Sequence, residues 1–296
     1  MSEASVIHDI GYQRYQGARL GRGYALRSLY AHGVRTAFGL GRSAKAKIFP
    51  WVVAGLVGVV AVVLMAIRTQ VPGGEPVLSY WEFPNAIVMF VILFCAVVGP
   101  ELVSRDLRGG VLPLYFSRPL TRTDYAIGKF AALATAVFVL IAGPQLIMYI
   151  GGAFTVDGLS AVWSETGDFL QGLAIAAVYA GTFSALSILV SSLAGRRAVA
   201  AAMIVALFLI TTPIYGVLMG LAYSSADGGE LTGTALTITQ TAGLVSPMTL
   251  VYGVGQWWFA IDNPLGSYGP LYGLVVVAIV AISTLLLLLR YRKVAR

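Results

Sequence analysis

Six long apolar segments constrain the fold of this chain more than any other feature of its sequence. Each approaches or exceeds the length of about 20 mostly apolar residues that a helix needs to cross roughly 30 Å of hydrocarbon. Backbone N–H and C=O groups inside a bilayer must be paired within the segment, so we expect helices. The predicted spans are Ile48–Ile67, Phe83–Pro100, Tyr125–Gly152, Phe169–Ala194, Ala198–Tyr223 and Pro270–Leu289.

The composition supports this fold class. Of the 296 residues, 58% are hydrophobic and only 11% are charged, which is more apolar surface than one soluble core of this length can bury. The sequence therefore predicts an all-α integral membrane protein. A net charge of +7 could indicate a nucleic-acid partner, but the basic residues follow the spans instead of forming one patch, so none is expected.

The distribution of charge predicts the orientation of the chain. With alternating spans, 19 of the 20 Lys and Arg residues fall on one side, and only Arg68 falls on the other. Basic residues concentrate on the cytoplasmic side of membrane proteins. We therefore expect six spans in the cell inner (cytoplasmic) membrane, with the N- and C-termini both in the cytoplasm.

Two regions organise the chain, a basic leader over residues 1–47 and a transmembrane domain over residues 48–296. Within the leader, residues 22–39 place apolar side chains at helical spacing and group Ser28, His32 and Arg35 opposite them. This pattern predicts an amphipathic helix on the inner leaflet, with its arginines near anionic headgroups. A helix packed on a soluble partner is the alternative.

The outer loop, residues 224–269, contains a segment that is nearly long enough to span, Gly243–Ile261. A seventh crossing would place the basic C-terminal residues outside, so we expect a re-entrant or interfacial element. Pro247 interrupts the segment, and Trp257 and Trp258 are of the type that favours the headgroup level. A loop hairpin packed on the outer helix ends is equally compatible.

The interior of the spans contains no ionisable residue, and Glu101 and Lys129, at the cytoplasmic ends, are expected to snorkel. No catalytic, metal-binding or phosphate-binding motif is present, so we expect neither a catalytic site nor a cofactor on this chain. Gln145, Thr211 and Thr212 are candidates for lining a transport path, although helix packing is the more ordinary role for each. A largely apolar interior suits a hydrophobic or amphiphilic cargo.

The charged loop between the second and third spans, residues 101–124, is the most informative region. Glu101 and Arg105 have the i,i+4 spacing of a helical ion pair, and two glycines then end that helix. Thr121 and Asp124 have the spacing of a capping box. A short apolar run lies between these signals, which is typical of a docking element. Its large side chains are Leu112, Leu114, Tyr115 and Phe116.

This loop resembles the cytoplasmic loop of type-2 permeases of ATP-binding-cassette (ABC) exporters. That family has an acid and a base, Gly-Thr-Leu, paired large apolar residues, Pro-x-x-Arg, and Gly-Lys at the start of the next span. The loop departs from the pattern at Val111 and Pro113. The matching residues are Glu101, Arg105, Asp106, Gly110, Leu112, Leu114, Tyr115, Pro119, Arg122, Gly128 and Lys129.

The resemblance implies a six-helix half-transporter of type V-like fold. Two permease subunits, identical or paralogous, would pair in the membrane and bind separate ABC ATPase subunits that carry ATP and Mg²⁺. Leu112, Leu114, Tyr115 and Phe116 would seat in the ATPase, and Glu101, Arg105 and Arg122 would keep the hairpin rigid. The alternatives are an ion-driven secondary transporter, a membrane enzyme, and an ABC-like mechanical or assembly subunit that does not transport.

Overall fold

The structure, a computed structural model, describes residues 17, 20–71, 75–117, 119–225 and 231–294, and all regular structure within these ranges is helical. Two 3-10 turns, Gly243–Val245 and Gly266–Tyr268, precede α11 and α12. The helices are α1 Arg22–Ala37, α2 Ala44–Arg68, α3 Phe83–Ala86, α4 Val88–Leu102, α5 Ser104–Arg108, α6 Leu112–Phe116, α7 Arg122–Thr155, α8 Leu159–Leu193, α9 Arg197–Ser224, α10 Gly233–Ala242, α11 Pro247–Phe259 and α12 Gly269–Val294.

The six predicted spans are confirmed, since six of the described helical segments are long and apolar enough to cross a membrane. The second span differs in detail: Ile87 leaves helical geometry, with ψ of 9°, and separates α3 from α4. The fourth span begins at Leu159 instead of Phe169. Because α8 has 35 residues, it is about 52 Å long and extends beyond the hydrocarbon.

Burial separates inner spans from outer ones. Within this chain, 72% of the apolar stretch of residues 88–108 is buried, against 17% for the stretch in α9. The rings of Phe183 in α8 and Phe208 in α9 stack with centroids 4.4 Å apart. The second and fourth spans therefore form the core with α7, while α2, α9 and α12 expose most of their apolar surface.

Helix α1 packs its apolar stripe on α7. Leu29, Gly33 and Ala37 are buried, and a methyl group at position 33 would lie only 2.6 Å from the Cβ of Ala132. The prediction of an amphipathic helix is confirmed, but α7 already covers the apolar face. Only the polar face of α1 and its edges remain free to contact a membrane surface. The contact of the α1 arginines with headgroups stays a prediction.

The outer segment contains two helices, α10 and α11, joined by the 3-10 turn Gly243–Val245. Pro247 is the first residue of α11, so it begins a second helix, as its fixed φ and missing N–H favour. Leu250, Val251 and Val254 are buried, and α11 packs against α8, α9 and α12. The re-entrant or interfacial element and the packed loop hairpin both stay predictions.

An ion pair that the sequence did not predict closes the same end of the bundle. Arg68, at the end of α2, donates to both carboxylate oxygens of Glu165 in α8, at 2.6 and 2.9 Å, and both side chains are buried. The Tyr80 hydroxyl also donates to Glu165. Burial raises the pKa of Tyr80 above its ordinary value, so the phenol keeps its proton. Both residues of the ion pair lie outside the predicted spans Ile48–Ile67 and Phe169–Ala194 but within α2 and α8, because a paired charge does not end a helix.

Candidate functional site

The end of the bundle where α2, α7 and α9 begin is called the basic end here. At this end the Glu101 carboxylate is 8% exposed and contacts three guanidinium groups. Arg105 lies 3.2 Å away, as the i,i+4 spacing predicted; Arg197 of α9 lies 2.7 Å away; and Arg42, before α2, also contacts it. These four residues are called the Glu101 cluster.

The Glu101 cluster joins three parts of the chain through one carboxylate. Arg42 belongs to the connection between α1 and α2, Arg105 lies in α5, and Arg197 begins α9. A buried carboxylate is stable only when it is paired, and here several donors satisfy it. The sequence predicted Arg105 alone, because the other two partners are brought close only by the tertiary fold.

A second ion pair fixes α5 to α7. The Lys129 ammonium lies 2.8 Å from Asp106, and the Tyr125 hydroxyl donates to the same carboxylate at 2.8 Å. Ser104 also donates to the Ser191 carbonyl in α8, at 2.8 Å. Glu101 and Lys129 therefore do not snorkel as expected: each is buried in an ion pair inside the protein.

The α5–α6 hairpin, residues 104–116, turns at Gly109 and Gly110. Gly110 has a φ of +62°, a left-handed conformation that favours glycine. Tyr115 and Phe116 are half-buried against the ring of Tyr125, with centroids 5.5 and 6.3 Å away.

Only one of the four predicted docking side chains of α6 points fully outward. Leu112 is buried in this chain, where it anchors α6 to the bundle, and its expected place in a partner's groove stays a prediction. Leu114 is 68% exposed. A five-residue helix cannot turn all its side chains outward, because successive residues are about 100° apart.

The start of α7 has the predicted capping box. The Thr121 hydroxyl accepts from the Asp124 N–H at 3.2 Å, and the Asp124 carboxylate accepts from the Thr121 N–H at 2.9 Å. Arg22 of α1 donates to both oxygens of Asp124, at 2.8 and 2.7 Å. This hydrogen bonding raises the pKa of Arg22 above its ordinary value.

The remaining loop residues are placed less centrally. Arg122 donates to the Arg292 carbonyl in α12 at 3.0 Å, so it ties α7 to α12. Pro119 is exposed, and Arg118 lies outside the described residues.

A cleft of about 880 Å³ separates α1 from the α5–α6 hairpin. Exposed Leu20 and Tyr24 line one side, Leu114 lines the other, and Glu101 and Arg105 lie in its wall. The cleft combines apolar side chains with charges that are already paired. Such a surface can bind a protein partner through its apolar residues and orient it through its charged rim.

A family model described as ABC-2 family transporter protein matches residues 26–294. The match runs from α1 through the α5–α6 hairpin to the last residue of α12. The chain belongs to this family. As a member, it is a multi-pass membrane protein and the permease component of an ABC transporter. The comparison with curated proteins found no match.

The path candidates of this permease do not come together. Gln145 is fully buried, and its amide donates to the carbonyls of Tyr80 at 2.8 Å and Gly172 at 3.4 Å. These contacts give Gln145 a role in packing α7 against α8.

The other two path candidates lie on α9. The Thr211 hydroxyl donates to the Ser246 hydroxyl at 3.0 Å and so ties α9 to the connection between α10 and α11. Thr212 is exposed. Among the three candidates, Thr212 is the side chain that remains open to a ligand.

Proposed function

We propose that this ABC-2 permease is the membrane subunit of an ATP-driven exporter. It pairs with a second permease, identical or paralogous, and binds separate ATPase subunits at its basic end. ATP and Mg²⁺ are held by the ATPase, and this chain contributes no catalytic group. The basic end faces the cytoplasm, because basic residues are retained on that side of the cytoplasmic membrane.

The observation that carries the proposal is the exposure of Leu114, on a hairpin whose other large apolar side chains pack against the bundle. A leucine that is 68% exposed beside a charged rim suits an anchor that enters a partner's pocket. Leu20 and Tyr24 across the cleft enlarge the same apolar surface. We therefore place the ATPase on α6 and the neighbouring part of α1.

The Glu101 cluster gives this docking surface a mechanical connection to the spans. A displacement of α5 moves Arg105 and with it the Glu101 carboxylate at the end of α4. Arg42 and Arg197 pass that displacement to the starts of α2 and α9. The Lys129–Asp106 pair connects α5 to α7. ATP-driven closure of the ATPase would therefore shift α2 and α9 together.

The exposed spans are where a second permease and a cargo would contact this chain. Large apolar side chains are exposed along α2 and α9, among them Leu56 and Val59 in α2 and Ile210 and Val217 in α9. Apolar surface of this kind is compatible with lipid, with a paired subunit and with a hydrophobic or amphiphilic cargo. The buried Arg68–Glu165 pair does not favour an ion-driven carrier, because each charge is satisfied within the protein.

The test compares Leu114→Asp with Leu159→Asp in cells that co-express the ATPase. Leu159 is a matched control, since it is 76% exposed at the opposite end of the bundle. We expect Leu114→Asp to lose the co-purifying ATPase and Leu159→Asp to retain it. Full retention of ATPase by Leu114→Asp, with normal export, would refute the docking surface.

A further inference from the structure

A second recess at the basic end lies between α4, α5 and the start of α9. Its volume is about 580 Å³, and it is separate from the cleft beside α1. The wall is formed by small apolar side chains and by arginines. The lining residues are Ala96, Val97, Arg108, Arg196, Arg197, Ala198 and Ala201.

The positive charge of this recess is not neutralised within the described part of the chain. Arg108 and Arg196 are exposed and form no ion pair with any residue that the structure describes. Arg197 pairs with Glu101, yet its side chain is still 58% exposed. No acidic side chain is among the lining residues. The recess therefore attracts an anion.

The apolar part of the recess favours an anion with a hydrocarbon tail. Ala96 and Val97 of α4 and Ala198 and Ala201 of α9 offer no polar side-chain atom to a small hydrated ion. Val199 and Met203, on other faces of the same part of α9, are also exposed and apolar. Free inorganic phosphate would gain binding energy from the arginines alone, and none from the apolar wall.

The start of α9 adds hydrogen-bond donors to the arginines. Arg196 is the N-cap residue, and no side chain caps the helix there. The N–H groups of the first turn are consequently open to an external acceptor, and the helix dipole favours negative charge at this point.

We propose that this recess binds one anionic phospholipid from the leaflet at the basic end. Its phosphate is held by Arg108 and Arg196, and an acyl chain lies along Ala198 and Ala201. Basic recesses between membrane helices on the cytoplasmic side suit anionic headgroups. Because Arg197 belongs both to the recess and to the Glu101 cluster, the lipid would sit beside the joint between the α5–α6 hairpin and α9.

The test measures phosphatidylglycerol bound to the purified full-length chain by native mass spectrometry, with phosphatidylcholine of the same acyl chains as the neutral probe. We compare R108Q/R196Q with K45Q/K47Q, which removes the same charge from exposed positions at the start of α2. We expect about thirtyfold weaker phosphatidylglycerol binding in R108Q/R196Q, from about 1 kcal/mol for each of the two arginines, and less than about twofold change in the control. Equal losses in both variants would show diffuse attraction and overturn the proposal.

A further variant separates the lipid from other occupants. Ala198→Phe fills the apolar part of the recess and leaves the arginines in place, so we expect it to weaken phosphatidylglycerol binding as well. Retained binding in Ala198→Phe, or displacement of the lipid by millimolar inorganic phosphate, would overturn the acyl-chain contact. If the lipid is lost only when two permeases associate, the second permease covers the recess, and this outcome would also overturn the proposal. Size-exclusion profiles matching the unmodified chain establish that each variant is folded.

Discussion

The Glu101 cluster makes an ordered prediction about its three ion pairs. The side chain of Arg42 is 28% exposed, whereas those of Arg105 and Arg197 are 62% and 58% exposed. Water and salt screen the two exposed arginines, so each should couple to Glu101 by only about 0.2–1 kcal/mol. The more buried Arg42 should couple by about 1.5–3 kcal/mol, the range of hydrogen bonds to charged groups.

Double-mutant cycles measure these couplings directly. Glu101→Gln is combined in turn with Arg42→Gln, Arg105→Gln and Arg197→Gln, and the free energy of unfolding is measured in mixed detergent micelles. Glu101→Gln keeps the shape of the side chain and removes its charge, and the cycle cancels the effects of shortening each arginine that do not involve Glu101. We expect the Arg42 coupling to exceed both others and to persist at high salt, while the other two fade.

The ordering of the couplings can be refuted. Three couplings near zero would show that Glu101 does not hold the hairpin. A coupling of Arg105 as large as that of Arg42 would show that exposure does not control the strength of these pairs. The first outcome would remove the physical basis of the connection from α5 to the start of α2, and the second would refute the predicted ordering alone.

Three further substitutions test other contacts. Gly33→Leu should detach α1 from α7 and speed the hydrogen exchange of the α1 amides. Gly23→Leu is the control, since no atom lies within 4 Å of its added Cβ. Equal exchange in the two variants would contradict the packing of α1 on α7. Arg68→Gln should lower the free energy of unfolding by about 3–5 kcal/mol, because it leaves the Glu165 charge buried without its partner. R68M/E165L removes both charges and should lower it by much less. The reverse order would refute a buried ion pair. Gln145→Leu should cost about 1–3 kcal/mol in the same unfolding assay and leave cargo selectivity in transport assays unchanged; altered selectivity would return Gln145 to the path.

The parts of the fold that were predictable from sequence depend on local patterns. Apolar length identified six spans, because the bilayer imposes that length on any spanning helix. The Glu101–Arg105 pair and the Thr121–Asp124 capping box were predicted because their spacing lies within one helical turn. Each of these features needs only a few neighbouring residues.

The unpredicted parts depend on distant segments. Arg42 and Arg197 reach Glu101 from other helices, and neither has a local signal that names its partner. The inward direction of Leu112 depends on the rotation of α6 against the bundle. Glu165 was assigned to a loop because charge ended the apolar run, although the helix continues. Tertiary pairing, which a single sequence does not display, decided all of these.

The most direct test of the central claim is the accessibility of a cysteine at position 114. Cys95 is the sole native cysteine and is buried, so Leu114→Cys supplies one reactive thiol. We expect a membrane-impermeant maleimide to label this thiol in inside-out vesicles alone, and added ATPase to protect it. Labelling from the outer face, or full labelling with the ATPase bound, would contradict a docking site for the ATPase on α6.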